Sequence, residues 1–293
     1  MIPDRNMLQD ASRQAAACAA RLRLPLRTRV WQGAAGELAG AGTGVSMDFQ
    51  DHRPYFPGDD PRHINWQAYA RTGQYTMKLY REEVRPAVDL ILDVSPSMFL
   101  TEDKARRTAA LFHLGFECAR RAGAVPAVHL VCGEAVREIE AGAVAALRWV
   151  EELPAGTGPP QAMPPLHLLR LRPNGLRVWI SDLLFAGDPA QALRSLTHGH
   201  GTGIVFCPFA PEEAAPGWRG PCDFEDAESG ARESRQMDSG AMRRYHAAYQ
   251  THFRLWKEQS VRFRAPLARI PATGPLETAL TTSALTAGAL ESC

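Results

Sequence analysis

At 293 residues with 45% apolar side chains, the chain can hold one large or two modest domains around a substantial core. Its 33 basic residues against 32 acidic ones leave a formal net charge of +1, which removes any compositional argument for nucleic-acid or acidic-lipid binding. Six cysteines (18, 118, 132, 207, 222 and 293) lack CxxC spacing, which argues against a zinc knuckle or redox pair and for reduced thiols in a cytosol. No apolar run reaches the roughly 18 residues a membrane span needs, and Ala15 to Ala20 is too short for a signal-peptide core, so a cytoplasmic protein is expected.

The charge is uneven at the start, where residues 1–30 carry six Arg against two Asp. Met7 to Leu22 is Ala-rich and reads as a helix, with Asp10 or Ser12 near its start and Arg13, Arg21 and Arg23 on exposed positions. It is a surface helix or, in the alternative, a docking arm. Gly33 to Gly44 contains five glycines and no aromatic residue, the composition of a flexible loop. Met47 to Glu83 then mixes aromatic side chains with Asp and Arg. Pro57-Gly58-Asp59-Asp60-Pro61 is a turn, Asp60 is placed to cap a short helix through Trp66 and Ala70, and Thr76 to Tyr80 reads as a strand. The equal supply of carboxylates and arginines favours Arg–Asp pairs around an aromatic mini-core over a nucleic-acid platform.

Val88 to Leu92, apolar apart from Asp89, reads as a short buried strand that delivers Asp93-Val94-Ser95-Pro96-Ser97 at its carboxyl end. A helix follows from Lys104 to Ala122, stopped by Gly123; then come a strand at Val125 to Cys132, a short partner at Ala135 to Ile139, and a helix at Ala143 to Leu153. After the loop Pro154 to Pro160, Leu166 to Leu171 reads as a helix. Leu176 to Ile180 is a strand ending in Ser181-Asp182, Asp188-Pro189 opens a helix through Leu196, and Thr202 to Pro208 is a further strand. This alternation is that of a doubly wound, mainly parallel α/β sheet. Residues 210–239 turn polar, and the acidic run Asp223 to Glu228 reads as a solvated hairpin or loop. Gly240 to Val261 is a long helix with a core-facing stripe at Tyr245, Tyr249, Phe253 and Trp256. Val261 to Pro266 is expected as an edge strand and Leu276 to Leu290 as a closing helix.

The run Asp93-x-Ser95-x-Ser97 suits a divalent cation, because a carboxylate supplies charge and two hydroxyls supply neutral oxygens. Thr157 and Asp182, on other loops, are placed to complete such a site. On spacing alone the other reading stands equally: Asp93 caps the next turn and the serines satisfy backbone groups. GxxxxGK[ST], GxGxxG and GxSxG motifs are absent, so the chain carries no nucleotide-loop or nucleophile-elbow signature.

Phe49, Arg53, Tyr55, Pro57-Gly58-Asp59-Asp60, Arg62, Ile64, Trp66 and Ala70-Arg71, followed by Asp93-Val94-Ser95-Pro96-Ser97-Met98, resemble the domain-of-unknown-function family DUF-58. Asp226-Ala227-Glu228-Ser229-Gly230 and the Tyr245 helix are similar to that family's C-terminal part. The second half of the pattern resembles the von Willebrand factor type A domain and its metal-ion-dependent adhesion site. The resemblance implies a type A, Rossmann-like core at 87–210, an N-terminal extension of short strands and helices at 1–86, and a C-terminal extension at 211–293. It implies Mg²⁺, or another divalent cation such as Mn²⁺ or Ca²⁺, held by Asp93, Ser95, Ser97, Thr157 and Asp182. Leu183 stands where many type A domains have Gly, and Asn65 where an Asp is expected. The function implied is a non-enzymatic, metal-dependent adaptor. It binds an acidic side chain of a protein partner, a MoxR-type AAA+ ATPase or its client, in protein maturation or assembly. A metal-dependent hydrolase using the same carboxylates is the alternative, and neither nucleic acid nor a membrane span is expected.

Overall fold

The structure is a computed structural model of the chain and describes residues 2–26, 47–82, 86–155 and 162–293. The loop expected at Gly33 to Gly44 lies outside the described residues. The chain divides into two compact units, Met1–Leu26 with Pro86–Cys293, and Arg27–Arg85. The first 26 residues therefore group with residues 86–293.

In the larger unit, helix α1 (Arg5–Ala19) starts where the Asp4 carboxylate accepts from Met7 N at 2.8 Å, ahead of both Asp10 and Ser12. Its buried face, Leu8, Ala11, Ala15 and Cys18, packs on helix α2 (Glu102–Arg121). The N-terminus of α2 is capped by Thr101, whose hydroxyl accepts from Lys104 N.

The central sheet contains β1 (Val88–Asp93), β2 (Ala127–Cys132), β3 (Ala135–Ile139), β4 (Leu176–Ile180) and β5 (Thr202–Phe209). A hairpin of β6 (Gly220–Glu225) and β7 (Arg232–Met237) stands apart from it, and β8 (Leu267–Pro271) completes the sheet. The order is β8-β5-β4-β1-β2-β3, parallel throughout except for β3, which returns antiparallel on β2. This is a mixed α/β, Rossmann-like architecture.

The strands are near-continuous apolar runs because both faces are covered. Val88, Leu90 and Leu92 point to one core with Phe112 and Leu114 of α2; Ile91, Trp179 and Val205 point to the other with Phe253 and Trp256 of helix α4 (Ser239–Arg262). Helix α3 (Pro189–Thr197), capped by Asp188, covers that second face with Leu193 and Leu196. Each such side chain contributes about 1.5–3 kcal/mol on burial. Among the described residues no helix is long and apolar enough to cross a membrane.

Four expected elements are reshaped. The helix at Ala143 to Leu153 is a single turn, Ala141–Ala145, because Leu147 turns left-handed (φ +59°) and lets Trp149 bury against Phe112. Leu166 to Leu171 forms only a 3-10 turn, Leu166–Leu168, since Pro164 and Pro165 ahead of it favour extended backbone. The edge strand is Leu267–Pro271, paired on β5, instead of Val261 to Pro266: α4 continues through Arg262, and Arg264 (φ +51°) makes the turn. The closing helix is one α-turn, Leu276–Ala279, widening into a π-helical stretch, Leu280–Leu285. There the Thr281 and Thr282 hydroxyls donate back to Glu277 O and Thr278 O.

The smaller unit pairs Met47–Pro54 antiparallel with Thr76–Glu82 around a 3-10 turn, Pro61–His63, and a short helix, Trp66–Thr72. Asp60 caps the 3-10 turn at Arg62 N, and the helix is capped by Asn65, whose Oδ1 accepts from Ala68 N at 3.2 Å. Asn does at this position what Asp would do, without a charge. Arg53 donates twice to Asp59, at 2.6 and 2.7 Å, and that pairing holds the carboxyl down at about 2. Tyr69 and Tyr75 stack at 4.4 Å, while Trp66 and Phe56 are exposed, so the aromatic cluster is only partly a core.

Asp89, the polar interruption of β1, is fully buried and accepts from Arg172 N and Nε at 3.0 and 2.8 Å, with the buried Arg177 at 3.9 Å. Asp89→Ala leaves a buried guanidinium without its counter-charge and is expected to cost about 3–5 kcal/mol in urea unfolding. A loss below about 1 kcal/mol would contradict this account of the strand.

Candidate functional site

Strand order reverses between β1 and β4, and in open α/β sheets ligands sit at the carboxyl ends beside that reversal. Asp93 is the last residue of β1, and Ser181-Asp182 follow β4. The register pairs Leu92 with Ile180, which sets Asp93 beside Ser181. Ser181 Oγ donates to Asp93 Oδ2 at 2.7 Å and Ser95 N donates to Asp93 Oδ1 at 3.0 Å. Ser95 Oγ and Ser97 Oγ lie 3.2 Å apart. Leu183 N donates to Ser181 Oγ, completing the support of Asp93. Leu183 itself is left-handed (φ +61°), which explains why glycine suits the position. The cost to a non-glycine residue, about 1–2 kcal/mol, is offset by complete burial of the leucine side chain.

Asp182 is also buried. Its Oδ1 accepts from Leu184 N at 3.0 Å and its Oδ2 from Lys104 Nζ at 2.8 Å. Lys104, fully buried, also pairs with Glu213. Burial opposes the ammonium, but Asp182 and Glu213 outweigh it and hold its pKa above the ordinary lysine value. Sequence reasoning placed Lys104 only in a helical pattern and Glu213 in a polar segment; their meeting is tertiary.

Glu228 is the second surprise. The acidic run was expected to be solvated, and Asp223 and Glu225 are exposed; Glu228, at the hairpin tip, is half-buried and accepts from Ser97 N at 3.0 Å. A cavity of about 20 Å³, room for roughly one water-sized sphere, is lined by Asp93, Ser95, Ser97, Asp182 and Glu228, with Pro164, Leu184 and Phe185 around them. The structure thus brings four of the five predicted residues together; Thr157 lies outside the described residues. A larger cavity of about 520 Å³ lies between α1, α2 and residues 272–277, where the buried Arg107 donates to the carbonyls of Ala272, Thr273 and Gly274 just past the carboxyl end of β8.

Among the described residues no three His, Cys, Asp or Glu side chains group as a metal site. The donor set at the switch point is of another kind, two carboxylates with two hydroxyls. The Asp93 carboxylate is hydrogen-bonded by Ser181 Oγ and by the backbone and side chain of Ser95, and each Asp182 oxygen by one donor, so acceptor capacity remains for a hard cation. Burial pushes the Asp93 carboxyl up to about 7, with Asp182 adding to the effect and the Ser181 and Ser95 hydrogen bonds opposing it. A cation here relieves that repulsion, so the residues present fit one.

A family profile described as "Protein of unknown function DUF58" matches residues 51–254, more than half of the chain. The chain belongs to the DUF58 family. No curated protein matches it. Similar solved structures are the conserved hypothetical protein BatB from Bacteroides thetaiotaomicron, 13% identical over 69% of this DUF58 chain and 98% of that one with a TM-score of 0.33, and an aerotolerance-related membrane protein from Bacteroides fragilis carrying multiple mutations to serines, 16% identical over 61% and 98% with a TM-score of 0.26. Superpositions this loose carry no functional weight.

Because the folded pKa of Asp93 lies above the unfolded value near 3.9, the native state favours the protonated carboxyl. Its contribution to stability is complete below the unfolded value and is lost as pH rises through about 7. In EDTA, Asp93→Asn, which stays neutral, is expected to gain stability relative to the wild type between pH 5 and pH 8 in urea titrations. An identical difference at both pH values would contradict the assignment.

Proposed function

We propose that this DUF58 chain is a non-enzymatic, metal-dependent protein-interaction module with a von Willebrand factor type A-like core. In this reading it works in the cytoplasm as an adaptor for a MoxR-type AAA+ ATPase, or for that ATPase's client, in protein maturation or assembly. The observation that carries the proposal is the sharing of one small cavity by Asp93, Ser95, Ser97 and Asp182 at the sheet's switch point. The class of partner comes from the family resemblance alone.

Asp93, Ser95, Ser97 and Asp182 would hold Mg²⁺, or Mn²⁺ or Ca²⁺ in its place, with Thr157 as the fifth proposed ligand. When bound, the ion supplies a Lewis-acidic position for an acidic oxygen from the partner. The chain's own groups prepare this. Ser181 and Ser95 N orient Asp93, and Lys104 fixes Asp182 while drawing on its charge, so an incoming carboxylate is still attracted. Two hydroxyls in place of further carboxylates act in the same direction. With Glu228 in place, the cavity of about 20 Å³ matches the scale of a single ion or water.

Affinity purification of the intact chain in Mg²⁺ and in EDTA tests this. Protein partners are expected to be retained only with Mg²⁺, and lost by Asp93→Ala with its near-ultraviolet circular dichroism unchanged. The same partners recovered in EDTA, or by the variant, would overturn the proposal.

A further inference from the structure

Glu228 lies 131 residues from Ser97 in sequence, yet its carboxylate reaches the site and accepts from Ser97 N at 3.0 Å. It lines the same cavity as Asp93, Ser95, Ser97 and Asp182. A carboxylate is also the group that the metal-site reading assigns to the partner.

The arm that carries Glu228 is built separately from the sheet. Among the described residues β6 and β7 form a two-stranded sheet of their own, and β7 is exposed along nearly its whole length. Near the hairpin base, Trp218 packs edge-on to Phe224 at 4.8 Å and to Tyr245 of α4 at 5.1 Å. At the tip, Asp226 Oδ1 accepts from Glu228 N at 3.1 Å, from Ser229 N at 2.7 Å and from Ser229 Oγ at 2.8 Å, which presets the turn that aims Glu228 inward. Hydrogen bonds to Asp226 order the tip, and the Glu228 carboxylate engages the site through the backbone N and the side chain of Ser97. Such an arm can leave without disturbing either core.

We infer that Glu228 is a tethered competitor: the hairpin presents an internal carboxylate in the place of the partner's acidic side chain, and partner binding displaces it. The inference rests on the metal-site reading above. It identifies the partner's contact as an isolated Glu or Asp side chain and makes docking a carboxylate exchange, with no covalent step. Tethering gives Glu228 a high effective concentration, so weak free carboxylates are excluded and only a partner with further contacts competes.

The probe is a fluorescein-labelled Gly-Gly-Glu-Gly-Gly peptide, with its Gln counterpart as control, followed by anisotropy on the full chain. Mg²⁺ affinity of each variant is measured separately by calorimetry. Glu228→Ala is expected to bind Mg²⁺ within about threefold of the wild type and to bind the Glu peptide at least tenfold more tightly, only with Mg²⁺ present and not with the Gln peptide. Equal peptide affinities for two proteins that both bind Mg²⁺ would overturn the competitor role and leave the metal site standing. A tenfold loss of Mg²⁺ affinity in Glu228→Ala would overturn it differently, by making Glu228 an integral ligand. Failure of both proteins to bind Mg²⁺ would remove the metal-site reading and this inference with it.

Discussion

Two carboxylates buried side by side, Asp93 and Asp182, are the constraint around which the larger unit is arranged. Neighbouring buried carboxylates are costly to ionise together, and the surrounding residues supply the compensation. Ser181 and the Ser95 amide serve Asp93, while Leu184 N and the buried Lys104 serve Asp182. The compensation is unequal. Asp182 has a full ammonium partner; Asp93 has hydrogen bonds only, and its carboxyl rises to about 7. That imbalance is the physical basis of the cation proposed for the small cavity.

The sheet makes this placement unavoidable. With the order β8-β5-β4-β1-β2-β3, the chain leaves β1 and β4 in opposite directions, so nothing in the sheet closes the space beyond their carboxyl ends. Strong burial on both faces of β1 and β4 fixes the register to the residue, and a slip by one would turn Asp93 away from Ser181. At the other end of β1, Asp89 with Arg172 and Arg177 anchors the same strand.

The strands that lead into Asp93 and Ser181-Asp182 were legible because buried parallel strands write themselves as short apolar runs followed by polar residues. The long helices α2 and α4 were legible by periodicity and caps. Short elements were not: prolines at 164 and 165, the left-handed Leu147 and Arg264, and the threonines after Glu277 each changed an outcome through backbone geometry that a hydrophobic pattern does not encode. Lys104, Glu213 and Glu228 escaped for a different reason. A lysine in an amphipathic helix and glutamates in a polar segment look solvated until the fold sets them against Asp182 and Ser97. The one available signal was the family-like Asp226 to Gly230 stretch, which marked the hairpin tip without saying where Glu228 points.

The central claim is that the space between Asp93 and Asp182 takes a divalent cation. Crystals of the full chain grown with Mn²⁺ and measured at a wavelength where manganese scatters anomalously test it directly. The account predicts one strong anomalous peak bounded by Asp93, Ser95, Ser97 and Asp182. Density showing the Lys104–Asp182 pair intact beside a cavity without an anomalous peak, at Mn²⁺ concentrations well above physiological, would contradict it.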